Sequence, residues 1–214
     1  MNSLFLYMAG GMVAYLLGSI PFGFLIAKTQ GVDIRTVGSG NIGATNVFRS
    51  ISKKLGILTF LLDAAKGFCG AWLIPLLAAL LFPHAADVAE GKAFALVCGA
   101  LTIAGHNWTC FLGFKGGKGI ATSVGLLVGL SQGTVLIAAL VWILFFVTTR
   151  YVSVASIAAA ITLGVVAWPL HARDPWWFPA MLTLLALVAI WKHRSNIARL
   201  RAGTESRFNF GKKK

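Results

Sequence analysis

Acidic residues are scarce in this chain: six Asp and Glu stand among 214 residues, against 19 Lys and Arg. Asp33 and Glu205 stand alone in their loops, so paired carboxylates for general acid–base work are excluded. Charge of either sign is thin, at 12% of residues where a soluble domain carries about a quarter. Cysteine is limited to Cys69, Cys98 and Cys110. Their odd number, apolar surroundings and lack of Cys-x-x-Cys spacing exclude a disulfide framework and a zinc site, and they read as buried thiols. No Cys, His or carboxylate cluster has metal-ligand spacing, so a metal enzyme is not expected. Nucleotide fingerprints, internal repeats and low-complexity segments are missing too. No Lys or Arg precedes the first apolar run, which makes a poor signal peptide and reads as a retained helix.

Apolar residues are abundant instead, at 57% with a mean hydropathy of +0.80. This implies an all-α membrane protein, a single domain with no separate soluble domain. Seven transmembrane helices are expected, at about 4–27, 55–82, 93–112, 120–131, 133–149, 152–170 and 176–191. The basic residues set the orientation. The loop from Thr29 to Lys54 carries Arg35, Arg49, Lys53 and Lys54 against Asp33, which marks it cytoplasmic and the N-terminus outside. The loop from Pro83 to Lys92, with Asp87 and Glu90 against one lysine, suits the outer side. The apolar stretch from Ile120 to Thr149 is too long for one ordinary span. Splitting it at Ser131-Gln132-Gly133 keeps Arg150 and the basic tail, through Lys212–Lys214, in the cytoplasm. Pro21 should kink the first span. Pro175, Trp176 and Trp177 form an outer aromatic belt, while His84 and His171 read as solvated surface residues. The net charge of +13 therefore points to topology and anionic membrane lipid, with a phosphate-bearing substrate second, rather than to nucleic acid.

The polar residues concentrate in a few places. Gly38-Ser39-Gly40-Asn41-Ile42-Gly43-Ala44-Thr45-Asn46, followed by Arg49, is a glycine frame whose N–H groups can make an anion site beside a planar cation. Lys115-Gly116-Gly117-Lys118-Gly119 is a second such loop, just ahead of a helix N-terminus. It lacks the P-loop spacing. The segment after Trp191, read as a helix, puts His193 and Asn196 one turn apart. Asp63 and Lys66, at i,i+3, are either a self-neutralising pair at a packed seam or a polar wall of a cavity. In the expected topology the two loops and the 193–205 segment share the cytoplasmic side, with more positive potential than one phosphate needs. A transporter of phosphorylated anions is the competing class, but it should place polar groups at the midplane on both halves of its path.

Three blocks in order resemble one family: 38–46 with Arg49; Gly105-His106 through Gly116-Gly117-Lys118-Gly119-Ile120-Ala121-Thr122; and His193 through Leu200 with Gly203 and Glu205. The resemblance is to the bacterial acyl-phosphate:glycerol-3-phosphate acyltransferases and covers the whole chain. It implies seven helices with the N-terminus outside and the C-terminus cytoplasmic, in the bacterial cytoplasmic membrane. The implied reaction moves an acyl group from acyl phosphate to the sn-1 hydroxyl of glycerol 3-phosphate, with no metal or organic cofactor. Ser39, Arg49, Lys118, His193 and Asn196 are the implied catalytic residues. Gly38, Gly40, Asn41, Gly43, Thr45, Asn46, Lys66, His106, Lys115, Gly116, Gly117, Gly119 and Glu205 are the expected substrate-binding set. Two departures are visible: Thr109 where many members have proline, and Ser195 where an acidic residue is common. Arg49, Lys118 and His193 are expected to share one cationic site.

Overall fold

The computed structural model describes residues 3–209; Lys212–Lys214 of the basic tail lie outside the described residues. Every regular element among the described residues is helical. That is the outcome expected where hydrocarbon offers no hydrogen bonds and each segment must satisfy its own backbone. The chain divides into two compact units, Met1–Ser131 and Gln132–Lys214.

The first unit holds α1 (Ser3–Ser19), α2 (Phe22–Thr29), α3 (Ala44–Ser50), α4 (Lys53–Phe68), α5 (Ile74–Leu81), α6 (Ala86–Ala89), α7 (Lys92–Asn107) and α8 (Ile120–Leu130). A π-helical turn, Cys69–Leu73, joins α4 to α5. Two crossings are built on reciprocal glycines, as packing without a water-driven hydrophobic force favours. Between α1 and α7, Gly18 lies against the Thr102 carbonyl and Gly105 against the Tyr15 carbonyl. Between α4 and α8, Gly67 lies against the Thr122 carbonyl and Gly125 against that of Ala64. A Cβ at any of the four would collide with backbone. Elsewhere Ala78 and Ala79 of α5 pack in a cluster with Leu6, Ala14, Phe94 and Cys98.

Pro21 does more than kink the first span. It separates α1 from α2, so the carbonyls of Ser19, the last residue of α1, and of Ile20 just after it are not taken up by a continuing helix. Each is taken by a distant side chain. Thr109 Oγ1 donates to the Ser19 carbonyl at 2.6 Å, and Lys66 Nζ donates to that of Ile20 at 2.9 Å. Tyr15 Oη also donates to the Trp108 carbonyl at 2.6 Å. The chain just past α7 is thereby fastened to the broken end of α1.

The second unit holds α9 (Gln132–Thr149), α10 (Val152–Leu170), α11 (Trp177–Lys192) and α12 (Arg194–Arg201). Trp142 Nε1 donates to Ser156 Oγ at 3.2 Å between α9 and α10. Trp168 Nε1 donates to Thr183 Oγ1 at 3.1 Å between α10 and α11.

Among the described residues, five helical stretches are long and apolar enough to cross a membrane: Ser3–Thr29, Lys53–Leu81, Lys92–Leu112, Gln132–Thr149 and Val152–Leu170. Ile120–Leu130 and Trp177–Lys192 are shorter apolar helices. The break at Ser131, inferred from charge, separates α8 from α9. Two expectations are overturned here. Cys69 and Cys110 are half-buried, so of the three cysteines Cys98 alone is a buried thiol. His171 is not a solvated surface residue: its ring is 12% exposed, with Nδ1 2.7 Å from Asp174 Oδ2 and Nε2 3.4 Å from Thr134 Oγ1. The turn folds back because a carboxylate three residues on can hold the ring. His84 is exposed, as expected.

Candidate active site

In the first unit both glycine loops are held by packing. Ile34, Ile42 and Val47 form a buried cluster with Ala27 of α2, and Val37, Ile51 and Leu112 pack against it. Leu112, just ahead of the second loop, thus rests on the same apolar floor as the first. The first loop enters α3, whose last turn carries Arg49, half-buried. Gly56 of α4 has no side chain where Phe48 lies, which seats α3 on α4.

The polar residues of this loop serve its own backbone. Asn46 is 4% exposed. Its Nδ2 donates toward the carbonyls of Ile34 (3.2 Å), Val37 (3.0 Å) and Asn41 (2.9 Å). Its Oδ1 accepts from Ser39 N at 3.0 Å and from Ser50 Oγ at 3.2 Å. Asn41 Oδ1 accepts from Gly43 N at 2.8 Å, just ahead of α3. Gly38 and Gly40, with φ of +59° and +68°, make the bends this wrapping requires. Ser39 and Thr45 are left exposed. Arg35 is tied to Asp33, with NH2 to Oδ2 at 2.6 Å, and hydrogen bonds from Arg35 hold the Asp33 carboxyl down to about 2.

The second loop leans on the end of α7. Gly117 N donates to the His106 carbonyl at 2.9 Å. A Cβ on Gly117 would collide with His106 Nε2, and one on Gly119 would sit 2.9 Å from Asn107 Oδ1. Lys118 lies between these two glycines, half-buried, and Gly119 at φ +79° leads into α8. Lys115 is exposed and Gly116 lies against the His106 carbonyl. His106 and Lys66 are buried around Asp63. Lys66 Nζ is 2.8 Å, and His106 Nδ1 3.4 Å, from Asp63 Oδ1. Of the two readings open from sequence, the self-neutralising pair at a packed seam is the one observed.

In the second unit His193 is not helical. It links α11 to α12 at φ −90°, ψ 7°, with Asn196 in the first turn of α12. Both are buried, at 3% and 6% exposure. His193 Nδ1 lies 2.8 Å from the Ala189 carbonyl. A carbonyl only accepts, so Nδ1 carries the proton and Nε2 of the neutral ring carries the lone pair. Glu205 Oε1 accepts from Asn196 Nδ2 at 2.7 Å and Oε2 from Arg199 Nε at 2.7 Å. Burial opposes the Glu205 anion, but Asn196, the nearby Ser153 hydroxyl and Arg199 outweigh it and hold the carboxyl below its usual range. The chain beyond is pinned by Phe208 N donating to the Arg150 carbonyl at 2.8 Å.

A sequence profile described as glycerol-3-phosphate acyltransferase matches residues 8–203. The chain belongs to the glycerol-3-phosphate acyltransferase family. It is 47% identical over 195 residues to the family member of Geobacter metallireducens, covering 91% of this chain and 94% of that one. It is also similar to the crystal structure of PlsY (YgiH), an integral membrane glycerol 3-phosphate acyltransferase. With the glycerol 3-phosphate form the identity is 41%, the TM-score is 0.82, and 98% of this chain and 96% of that one are covered. With the lysophosphatidic acid form the values are 40%, 0.79, 98% and 96%.

The departure at Thr109 has a physical account. Its φ of −67° is the angle proline imposes. Its hydroxyl adds the bond to Ser19 and caps the following turn by accepting from Phe111 N at 3.2 Å. Asn107, buried against Gly119, is a site-shaping residue that sequence reasoning passed over. The signal was its place in the polar run Gly105-His106-Asn107-Trp108-Thr109, which closes an otherwise apolar span.

Proposed function

We propose that the chain transfers a fatty acyl group from an acyl phosphate to the sn-1 hydroxyl of glycerol 3-phosphate, giving lysophosphatidic acid and inorganic phosphate. The observation that carries the reading is the whole-length likeness to an enzyme solved in both glycerol 3-phosphate and lysophosphatidic acid forms. The acyl-phosphate donor fits the side chains at hand. A mixed anhydride is already activated, so positioning and charge stabilisation do most of the work and no metal or organic cofactor is called for.

In this reading Arg49 and Lys118 clamp phosphate oxygens, and N–H groups of the glycine loops and the α8 N-terminus hold phosphate or the tetrahedral oxyanion. Ser39 and Asn196 orient the glycerol hydroxyl. The hydroxyl oxygen bonds to the acyl carbon, and the bond from that carbon to the phosphate oxygen breaks. The departing proton goes to His193 Nε2, or to an oxygen of the leaving phosphate. The chain reads as a single acyltransferase domain of seven spans in the bacterial cytoplasmic membrane, with the N-terminus outside and the active site on the cytoplasmic side. The product enters phospholipid synthesis.

Purified protein given acyl phosphate and glycerol 3-phosphate should release phosphate and form lysophosphatidic acid, while acyl-CoA should support neither. Turnover with acyl-CoA alone would refute the donor.

A further inference from the structure

The buried charges of α4 have no direct part in the chemistry above, yet their contacts lead to Lys118. Asp63 and Lys66 are each about 1–2% exposed, in the last two turns of α4 and well inside the apolar stretch Lys53–Leu81. Placing two charges there is costly unless they are paired and hydrogen-bonded. One carboxylate oxygen serves both the Lys66 ammonium at 2.8 Å and the His106 ring at 3.4 Å. Lys66 reaches on to the Ile20 carbonyl at 2.9 Å, at the break before Pro21. His106 in turn carries the second glycine loop: its carbonyl accepts from Gly117 N, and its ring fills the place of a Gly117 side chain. The Asn107 side chain likewise stands where a Gly119 side chain would lie. Lys118 is therefore flanked by two glycines, each seated on one of the last two residues of α7.

We infer that Asp63, Lys66 and His106 are positioning residues, which fix the backbone on either side of Lys118 and do not touch substrate. The Asp63–Lys66 pair sets the His106 ring, the ring sets Gly117, and Gly117 sets where the Lys118 side chain begins. The inference rests on the proposed reaction for its kinetic consequence alone.

The test uses the full chain carrying Asp63→Leu together with Lys66→Met, which leaves neither charge unpaired. Such a replacement of a buried pair keeps stability near that of the parent. Thermal unfolding, amide exchange over residues 116–119, and kcat and KM for glycerol 3-phosphate acylation are measured. The expected result is a parental unfolding midpoint, faster exchange at Gly117, and kcat/KM lower by about 100-fold, the scale of an ångström-sized misplacement. A purely stabilising pair would move the midpoint and leave the other two in place. Parental exchange and kinetics in the folded double variant overturn the inference. Should that variant not fold, Gly117→Ala, whose methyl meets His106 Nε2, must show the same rise in exchange and fall in kcat/KM. Parental values there overturn it equally. If the unaltered protein transfers no acyl group, the proposed reaction fails and the exchange arm decides the positioning role by itself.

Discussion

Asn46 offers the sharpest test of how the first loop is held. Its amide reaches five backbone and side-chain groups within 3.2 Å, but two N–H donors cannot satisfy three carbonyls fully. Counting two good bonds from Nδ2 and two to Oδ1, at about 1 kcal/mol net each, Asn46→Ala costs roughly 4 kcal/mol. Water can reach the half-exposed partners and lowers this to about 2–4 kcal/mol. Asn46→Asp is the telling comparison. It is nearly isosteric and keeps the acceptor for Ser39 N, but it turns an oxygen toward three carbonyls. The aspartate should therefore destabilise at least as much as alanine. Thermal unfolding in detergent reads the stability, and kcat/KM reads the displacement of Arg49 one helical residue-trio further on. If Asn46 instead bound substrate directly, alanine would raise KM with an unchanged unfolding midpoint. That result, or a parental Asn46→Asp, would refute the account of the loop.

Other consequences are as direct. Lys118→Ala should lower kcat/KM by at least about 100-fold through loss of a preorganised cation, and full turnover would remove the clamp. His193→Ala should lower kcat by about 100-fold or more if Nε2 takes the proton, while an unchanged kcat would assign the proton to the leaving phosphate. Thr109→Val, with the same shape and no hydroxyl, should cost about 1–3 kcal/mol because the Ser19 carbonyl loses its partner, and Thr109→Ser should recover most of this in thermal unfolding. Because the Glu205 carboxyl is held low in the folded chain, its stabilisation is complete above its unfolded pKa and is lost as pH falls through the folded one. Proteolysis of the segment 203–208 should therefore accelerate on acidification, and that pH dependence should vanish in Glu205→Gln.

How far these features could be read in advance differs by residue. Helix α10 begins and ends where hydropathy placed it, and the break at Ser131 followed from counting Lys and Arg. Those signals are local or periodic, so one sequence carries them. The roles of Asn41 and Asn46 were not legible. A glycine loop with two asparagines has the same composition whether the amides face a ligand or the loop's own carbonyls. Nor could sequence show that Gly116 and Gly117 make room for His106. The links that matter most, Lys66 to Ile20, Thr109 to Ser19 and Tyr15 to Trp108, join residues 46, 90 and 93 apart. Such pairs leave no periodic trace. His193 was placed in a helix because its neighbours favour one, but its ring is held at a bend by the Ala189 carbonyl.

The π-helical turn at Cys69–Leu73 gives the long second span a fixed phase. One residue more than a regular turn is wound in there, just where Gly70 abuts the Thr102 side chain. Everything after it is rotated so that Ala78 and Ala79 face inward while Leu76, Leu77, Leu80 and Leu81 face outward. Removing a single residue from this turn would swing α5 by about 100° and present leucines to a seam sized for alanines. Homologues that differ by one residue in this span should thus differ in the whole pattern of small and large side chains downstream, and hybrid proteins joined there would have to inherit the turn and α5 together.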